Sequence, residues 1–175
     1  MATDAVGSLV IPDDTIALGE AAFSAWYRGH YRSVFAVALA ACRSRAIAQD
    51  ATDEAFARAA ERWGRVQGMA SPTGWACRVA ANEATRLMRK AKRQVATREP
   101  TTVDLGPDVD LWSAVARLPR RQREAIALRY IADLTESEVA RTMGISTGAA
   151  SATLSSARAR LAALLTAGRD GATDE

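Results

Sequence analysis

The segment Thr135 to Ser146, T-E-S-E-V-A-R-T-M-G-I-S, constrains the fold more tightly than any other part of this chain. Thr135 and Glu138 have the spacing of a capping box, in which a hydroxyl and a carboxylate each accept an otherwise orphaned backbone N–H at a helix start. A short helix is predicted to follow. Gly144 comes directly after it, able to take the left-handed conformation that ends a helix, and Ile145 and Ser146 supply a buried anchor and a second N-cap. The pattern is helix, tight turn, helix.

In the second of these helices Ala150, Leu154, Ala157 and Leu161 fall at intervals of four, three and four, an inward stripe. Thr147, Ser151, Ser155 and Arg158 are left on the outer face. A helix built this way can enter the DNA major groove, with small polar groups near its N-terminus and cations further along for phosphates. A plain helical hairpin has the same spacing.

The rest of the chain agrees with an all-α fold. Alanine occurs 39 times and arginine 21 times against two lysines, while aromatic residues make up 6%. Alanine is the best helix former, and strands want the β-branched and aromatic residues that are sparse here. Cys42, Cys77 and His30 are the only cysteines and histidine, too few for a disulfide framework or a Cys/His metal cage, so neither a metal nor a cofactor is expected. The longest charge-free apolar stretch, Val34 to Cys42, is nine residues, against about 20 for a membrane span. With no basic, apolar leader at the start, a cytoplasmic protein is expected.

Charge is partitioned more sharply than the net value of +3 suggests. Residues 1–20 hold four acids and no base, and residues 21–98 hold 14 bases and five acids. Residues 99–110 again hold four acids and no base, and residues 111–168 hold eight bases and four acids. Two basic blocks separated by an acidic connector fit two polyanion-facing modules on a tether, although solvated helical surfaces would give the same count. The expected organisation is a mobile arm over 1–18, a helical domain over 19–93, a flexible acidic linker over 94–109, a second small helical domain over 110–168 and a tail over 169–175. Helices are predicted from Ala21 to Ala41, Ala46 to Trp63 and Ser71 to Ala91, then over 110–117, 120–131, 135–143 and 146–166. Gly64 to Gly74 reads as a loop, and Pro100, Gly106 and Pro107 mark the linker.

The third helix ends in R-L-M-R-K-A-K-R, placing Arg86, Arg89, Lys90, Lys92 and Arg93 together. Each phosphate that such a cluster neutralises releases counterions, which gives salt-sensitive affinity for nucleic acid. Trp75, Arg78, Asn82 and Arg86 recur at three or four residues along the same helix, aligning an aromatic plane, an amide and guanidiniums as a platform for unpaired bases. Trp75 in a bundle core and a solvated C-terminal cluster are the competing reading. On the second helix Asp50, Asp53, Glu54, Ala57 and Glu61 form an acidic strip beside Arg58 and Arg62, which suits a basic protein partner better than DNA.

The run A-Q-D-A-T-D-E-A-F-A-R-A-A-E-R-W (Ala48 to Trp63), followed by W-A-C-R-V-A-A-N-E-A-T-R-L-M-R-K (Trp75 to Lys90), resembles the second domain of bacterial extracytoplasmic function sigma factors. L-P-R-R-Q-R-E-A-I-A-L-R-Y (Leu118 to Tyr130), the segment Asp133 to Ser146 and A-R-A-R-L (Ala157 to Leu161) resemble the fourth domain. The resemblance implies core RNA polymerase as a partner, through the β′ clamp helices and the β flap, together with promoter DNA and a potential anti-sigma factor, and no membrane insertion. It implies that Asp50, Asp53, Glu54, Phe56 and Arg58 dock on the polymerase. Arg65, in the base-capturing loop, with Trp75, Arg78, Asn82, Arg86, Arg89 and Lys90 would meet the minus-ten element. Thr135, Thr147, Ser151, Ser155 and Arg158 would meet the minus-thirty-five element.

Three departures from the family pattern stand out. Asp53 replaces a usual glutamine, Ala51 and Thr52 replace a leucine or valine pair, and the recognition helix has no base before Arg158. Fewer phosphate contacts and weak intrinsic promoter affinity are expected. Two alternatives stay open: a stand-alone helix-turn-helix regulator, and a degenerate sigma-like module that binds polymerase or an anti-sigma factor without reading DNA. An enzyme is not expected, since His30 has no partner at a motif spacing and no Gly-rich phosphate loop occurs.

Overall fold

The computed structural model describes residues 13–94 and 109–170, and every described element is helical. The first region holds α1 (Asp13–Cys42), α2 (Arg45–Glu61), the single turn α3 (Trp63–Val66) and α4 (Pro72–Gln94). The second holds α5 (Val109–Arg117), α6 (Arg120–Ile126) running into a π turn (Ala127–Ile131), α7 (Glu136–Met143) and α8 (Thr147–Asp170).

In the first region α1, α2 and α4 pack on one another, and alanine is what lets them approach closely. Ala38, Ala48, Ala51, Ala55, Ala80 and Ala84 are fully buried at their contacts, where larger side chains would force the axes apart. The reversal after α1 is made by Arg43 in the left-handed region (φ 59), after which the Ser44 hydroxyl accepts the Ile47 N–H at 3.5 Å. Pro72 occupies the first position of α4, where its missing N–H costs nothing.

The second region packs against the first. One apolar core runs from Val34, Val37 and Ala84 to Leu128, Leu134 and Val139, and three side-chain bonds cross the junction. Ser33 donates to the Ile131 carbonyl at 2.9 Å, Arg123 to the Ala40 carbonyl at 2.9 Å, and Arg120 to the Thr85 hydroxyl at 3.1 Å. A Cβ on Gly74 would lie 2.9 Å from the Ser71 hydroxyl and 3.1 Å from that of Thr142, so the bare backbone there permits the approach of α7 to the start of α4.

Several expected boundaries move. The arm expected through Leu18 is already helix from Asp13. Helix α4 continues past Ala91 to Gln94, and the loop from Gly64 contains α3. The predicted 120–131 helix changes to a π turn at Ala127, leaving Leu134 N–H bonded to the Leu128 carbonyl at 3.1 Å. The acidic connector over 95–108 lies outside the described residues, as do residues 1–12 and 171–175.

Candidate nucleic-acid interface

Along α4, Arg78, Asn82, Arg86, Arg89 and Lys90 are exposed, as is Arg65 on α3. The junction divides this row. Arg78 and Asn82 line a crevice of about 180 Å³ whose opposite wall carries Arg120, Arg121, Glu124 and Thr142, while Arg86, Arg89 and Lys90 continue beyond it. Trp75, expected at the minus-ten element, is half-buried and packs against the shared core, which leaves it less open than the arginines along the same helix.

Under the cationic row sits an acid that the sequence reading passed over. Glu83 is 8% exposed and receives both Nε and Nη2 of Arg86, the Nε bond at 2.9 Å. Its Oε2 also lies 4.0 Å from Nη2 of Arg58, whose Nε is 2.6 Å from Glu54. These guanidiniums hold the Glu83 carboxyl below its ordinary value, the bond from Arg86 contributing most. The i,i+3 spacing to Arg86 was a readable signal, but nothing local indicates that Arg58 approaches from α2.

On α2, Asp50 and Asp53 are exposed, and Asp53 accepts the Tyr31 hydroxyl at 3.0 Å. Burial first, then that bond, pushes the Tyr31 phenol up to about 12. Phe56, expected to dock on the polymerase, is 3% exposed. It lies inside an aromatic cluster, its ring 4.8 Å from Tyr27, 5.1 Å from Trp26 and 5.8 Å from Tyr31. It therefore packs beneath α2 with almost no surface of its own exposed.

The helix-turn-helix has the geometry its sequence implies. Thr135 N–H donates to the Glu138 carboxylate at 2.9 Å and Glu138 N–H to the Thr135 hydroxyl at 3.3 Å. Gly144 has φ 67, and the Ser146 hydroxyl accepts the Ala149 N–H at 3.2 Å. Ala150, Leu154 and Ala157 are fully buried and Leu161 half-buried. Thr147, Ser155 and Arg158 are exposed, and Ser151 is half-buried. Thr135, expected at the minus-thirty-five element, is exposed, and its hydroxyl also donates to Glu138 at 2.8 Å within the cap. Arg158 donates to the Tyr130 hydroxyl at 3.3 Å, and Arg129 stands 5.7 Å from the same ring. Tyr130, 56% exposed on the π turn, thus joins this face, though it reads in sequence as one more helical position.

Among the described residues no group of His, Cys, Asp and Glu is placed to hold a metal, and no helix is long and apolar enough to cross a membrane. Cys42 and Cys77 are buried, and burial pushes the Cys77 thiol up to about 12.

Comparison with known proteins reaches both regions. The family model for Sigma-70 region 2 matches residues 26–94, and that for Sigma-70 region 4 matches residues 108–161. The chain is 27% identical over 151 residues to the ECF RNA polymerase sigma factor SigM of two Mycobacterium tuberculosis strains, covering 82% of this chain and 77% of SigM. Its fold is similar to sigma factor RpoE, solved in complex with the anti-sigma factor NepR from Bartonella quintana, with TM-score 0.68, 22% identity, and 82% and 96% of the two chains covered. It is also similar to CnrH, solved with the cytosolic domain of CnrY, with TM-score 0.59, 22% identity and coverage of 85% and 90%. With both sigma-70 regions matched in order across more than half its length, the chain belongs to the sigma-70 family, among the extracytoplasmic function sigma factors.

Proposed function

We propose that this alternative sigma factor holds core RNA polymerase by the acidic side of α2, through Asp50, Asp53, Glu54 and Arg58, and promoter DNA by two other faces. Arg86, Arg89 and Lys90, with Arg65, Arg78 and Asn82, take the melted minus-ten strand. Thr147, Ser151, Ser155 and Arg158 take the minus-thirty-five duplex. The observation that carries this is the separation of sign: exposed carboxylates on α2 and exposed cations on α4, two helices of one bundle. Acids repel phosphate and attract a basic protein surface, so each side selects its partner.

The chain brings polymerase to a subset of promoters and supplies no bond-making chemistry of its own, acting without metal or cofactor in the cytoplasm. The complexes of RpoE with NepR and of CnrH with CnrY support a protein inhibitor as a third partner. A second reading, polymerase binding without readout of the upstream element, is favoured by one observation: no base precedes Arg158 on the outer face of α8.

The test is transcription in vitro with core polymerase, the full chain and genomic fragments, alongside Asp50→Ala. Promoter-dependent transcripts are expected, with weaker core association for the variant at unchanged helicity. A chain that never associates with core polymerase would refute the proposal, and association without promoter-dependent transcripts would select the second reading.

A further inference from the structure

Glu83 is a buried acid on the most basic helix of the chain, and its carboxylate is shared by two arginines from two helices. Arg86 approaches it side-on, through Nε and Nη2. A guanidinium carries five N–H groups in a rigid plane, so this pairing fixes the plane and leaves Nη1 and the outer hydrogen of Nη2 directed away. That free edge is the fork that pairs with a phosphate or a base edge. The Arg86 side chain is 63% exposed and would otherwise sample many rotamers. Arg58, held by Glu54 at 2.6 Å, stands 4.0 Å from the same Glu83 oxygen that accepts the Arg86 Nε, adding a second positive charge beside the carboxylate.

We infer that Glu83 is a positioning residue for promoter DNA: it presents the outer edge of Arg86 to the unpaired strand in one orientation. The inference rests on the reading of α4 as the strand-binding face and adds a residue that itself touches no DNA. Two effects oppose when Glu83 becomes neutral. The face gains a positive charge, which favours DNA at low salt, and Arg86 loses its fixed orientation, which costs affinity at every salt concentration. Above about 0.3 M salt the Debye length falls to about 6 Å, so screening removes most of the first effect and leaves the second.

The experiment uses holoenzyme assembled from core polymerase and the full chain, at core concentrations that keep each variant fully bound as checked by size exclusion. The probe is a fluorescein-labelled pool of random single-stranded DNA, and the signal of core alone is subtracted. At high salt Glu83→Gln is expected to weaken binding about fivefold, the worth of holding one rotamer-rich side chain in place. It should have no further effect once Arg86→Gln is present. Arg86→Lys keeps the charge but cannot make the side-on pair, and it should show the same loss without touching Glu83, which covers a Glu83 variant that folds poorly. A Glu83→Gln effect that persists in the Arg86→Gln background assigns Glu83 to packing alone and overturns the inference, as does no Glu83→Gln effect where Arg86→Gln has one. If Arg86→Gln itself changes nothing, the strand-binding role of α4 fails instead, and the inference falls with it.

Discussion

The Arg123 guanidinium donates through Nε to the carbonyl of Ala40, 2.9 Å away and 83 residues earlier in the chain. Its Nη1 bonds the Leu118 carbonyl at the same time, so one buried cation closes the end of α1 against the start of α6. Burial pushes this guanidinium below its ordinary value, and the two carbonyls are what repay its desolvation. Arg123→Ala should cost about 3 kcal/mol in denaturant unfolding, the range for losing charge-assisted hydrogen bonds and stranding buried acceptors. The junction should also loosen, widening the crevice that Arg78 and Asn82 line. Faster amide exchange at the facing ends of α1, α4 and α6, compared with the body of α2, would report this. Uniform acceleration would mean that the bond supports the whole fold and not the junction.

The capping box gives a stability term with a defined pH window. The Thr135 N–H, and then its hydroxyl, hold the Glu138 carboxyl below its ordinary value of 4.5. A depressed carboxylate stabilises the fold above its unfolded value, and that contribution disappears as pH falls through the folded one. Thr135→Ala should therefore cost about 1 kcal/mol at neutral pH, as N-cap deletions do. The difference from wild type should shrink as pH falls below the ordinary value of 4.5, where Glu138 protonates first in the unfolded chain and then in the folded one. Thermal melts of the two proteins at pH 7 and pH 3 check this, and an unchanged gap at pH 3 would mean that the Thr135 hydroxyl does not act through the Glu138 carboxylate.

Tyr31 sets the alkaline limit of the α1–α2 pairing. Its phenol is pushed up to about 12 by burial and by the bond to Asp53, so the folded chain retains this proton where the unfolded chain loses it. The associated stability is complete below the ordinary phenol value of 10.0 and is lost as pH climbs through about 12. Absorbance titration of phenolate should show one tyrosine ionising with or after unfolding, and Tyr31→Phe should remove that late step. Ionisation of all three tyrosines near 10 before unfolding would contradict the packing.

What was legible in the sequence was local. Thr135, Glu138, Gly144 and Ser146 define their turn by spacing alone, since each bond of the cap spans three residues. The burial of Phe56 and the partial burial of Trp75 were not legible, because whether an aromatic on a helix is core or surface depends on neighbours far away in sequence. Trp26 and Tyr27 cover Phe56 from α1, 30 and 29 residues earlier in the chain, a relation that 3.6-residue periodicity cannot supply. Glu83 was missed for the same reason, as its second arginine arrives from α2. The π turn was invisible because Ala127 to Ile131 continues the apolar pattern of α6, and the wider turn shows only in the bonds from the Ala132 N–H to the Ala127 carbonyl at 3.0 Å and from the Leu134 N–H to the Leu128 carbonyl at 3.1 Å.

The outer face of α8 makes the final prediction, one of gain. Ser155 and Ser156 are exposed and uncharged, and the first cation on this helix, Arg158, is engaged with the Tyr130 hydroxyl at 3.3 Å. Each phosphate neutralised on duplex DNA adds about 0.9 to the slope of log affinity against log salt. The wild-type helix should therefore give a shallow slope, and Ser155→Arg and Ser156→Arg should each steepen it by about one unit while tightening binding at low salt. Neither position is buried, so unfolding midpoints should barely move. Fluorescence anisotropy of holoenzyme on a random-sequence duplex, over a series of salt concentrations, measures both quantities. Arginines that leave slope and affinity unchanged would show that this side of α8 does not face the phosphates, and the helix would then have to be assigned to a protein contact.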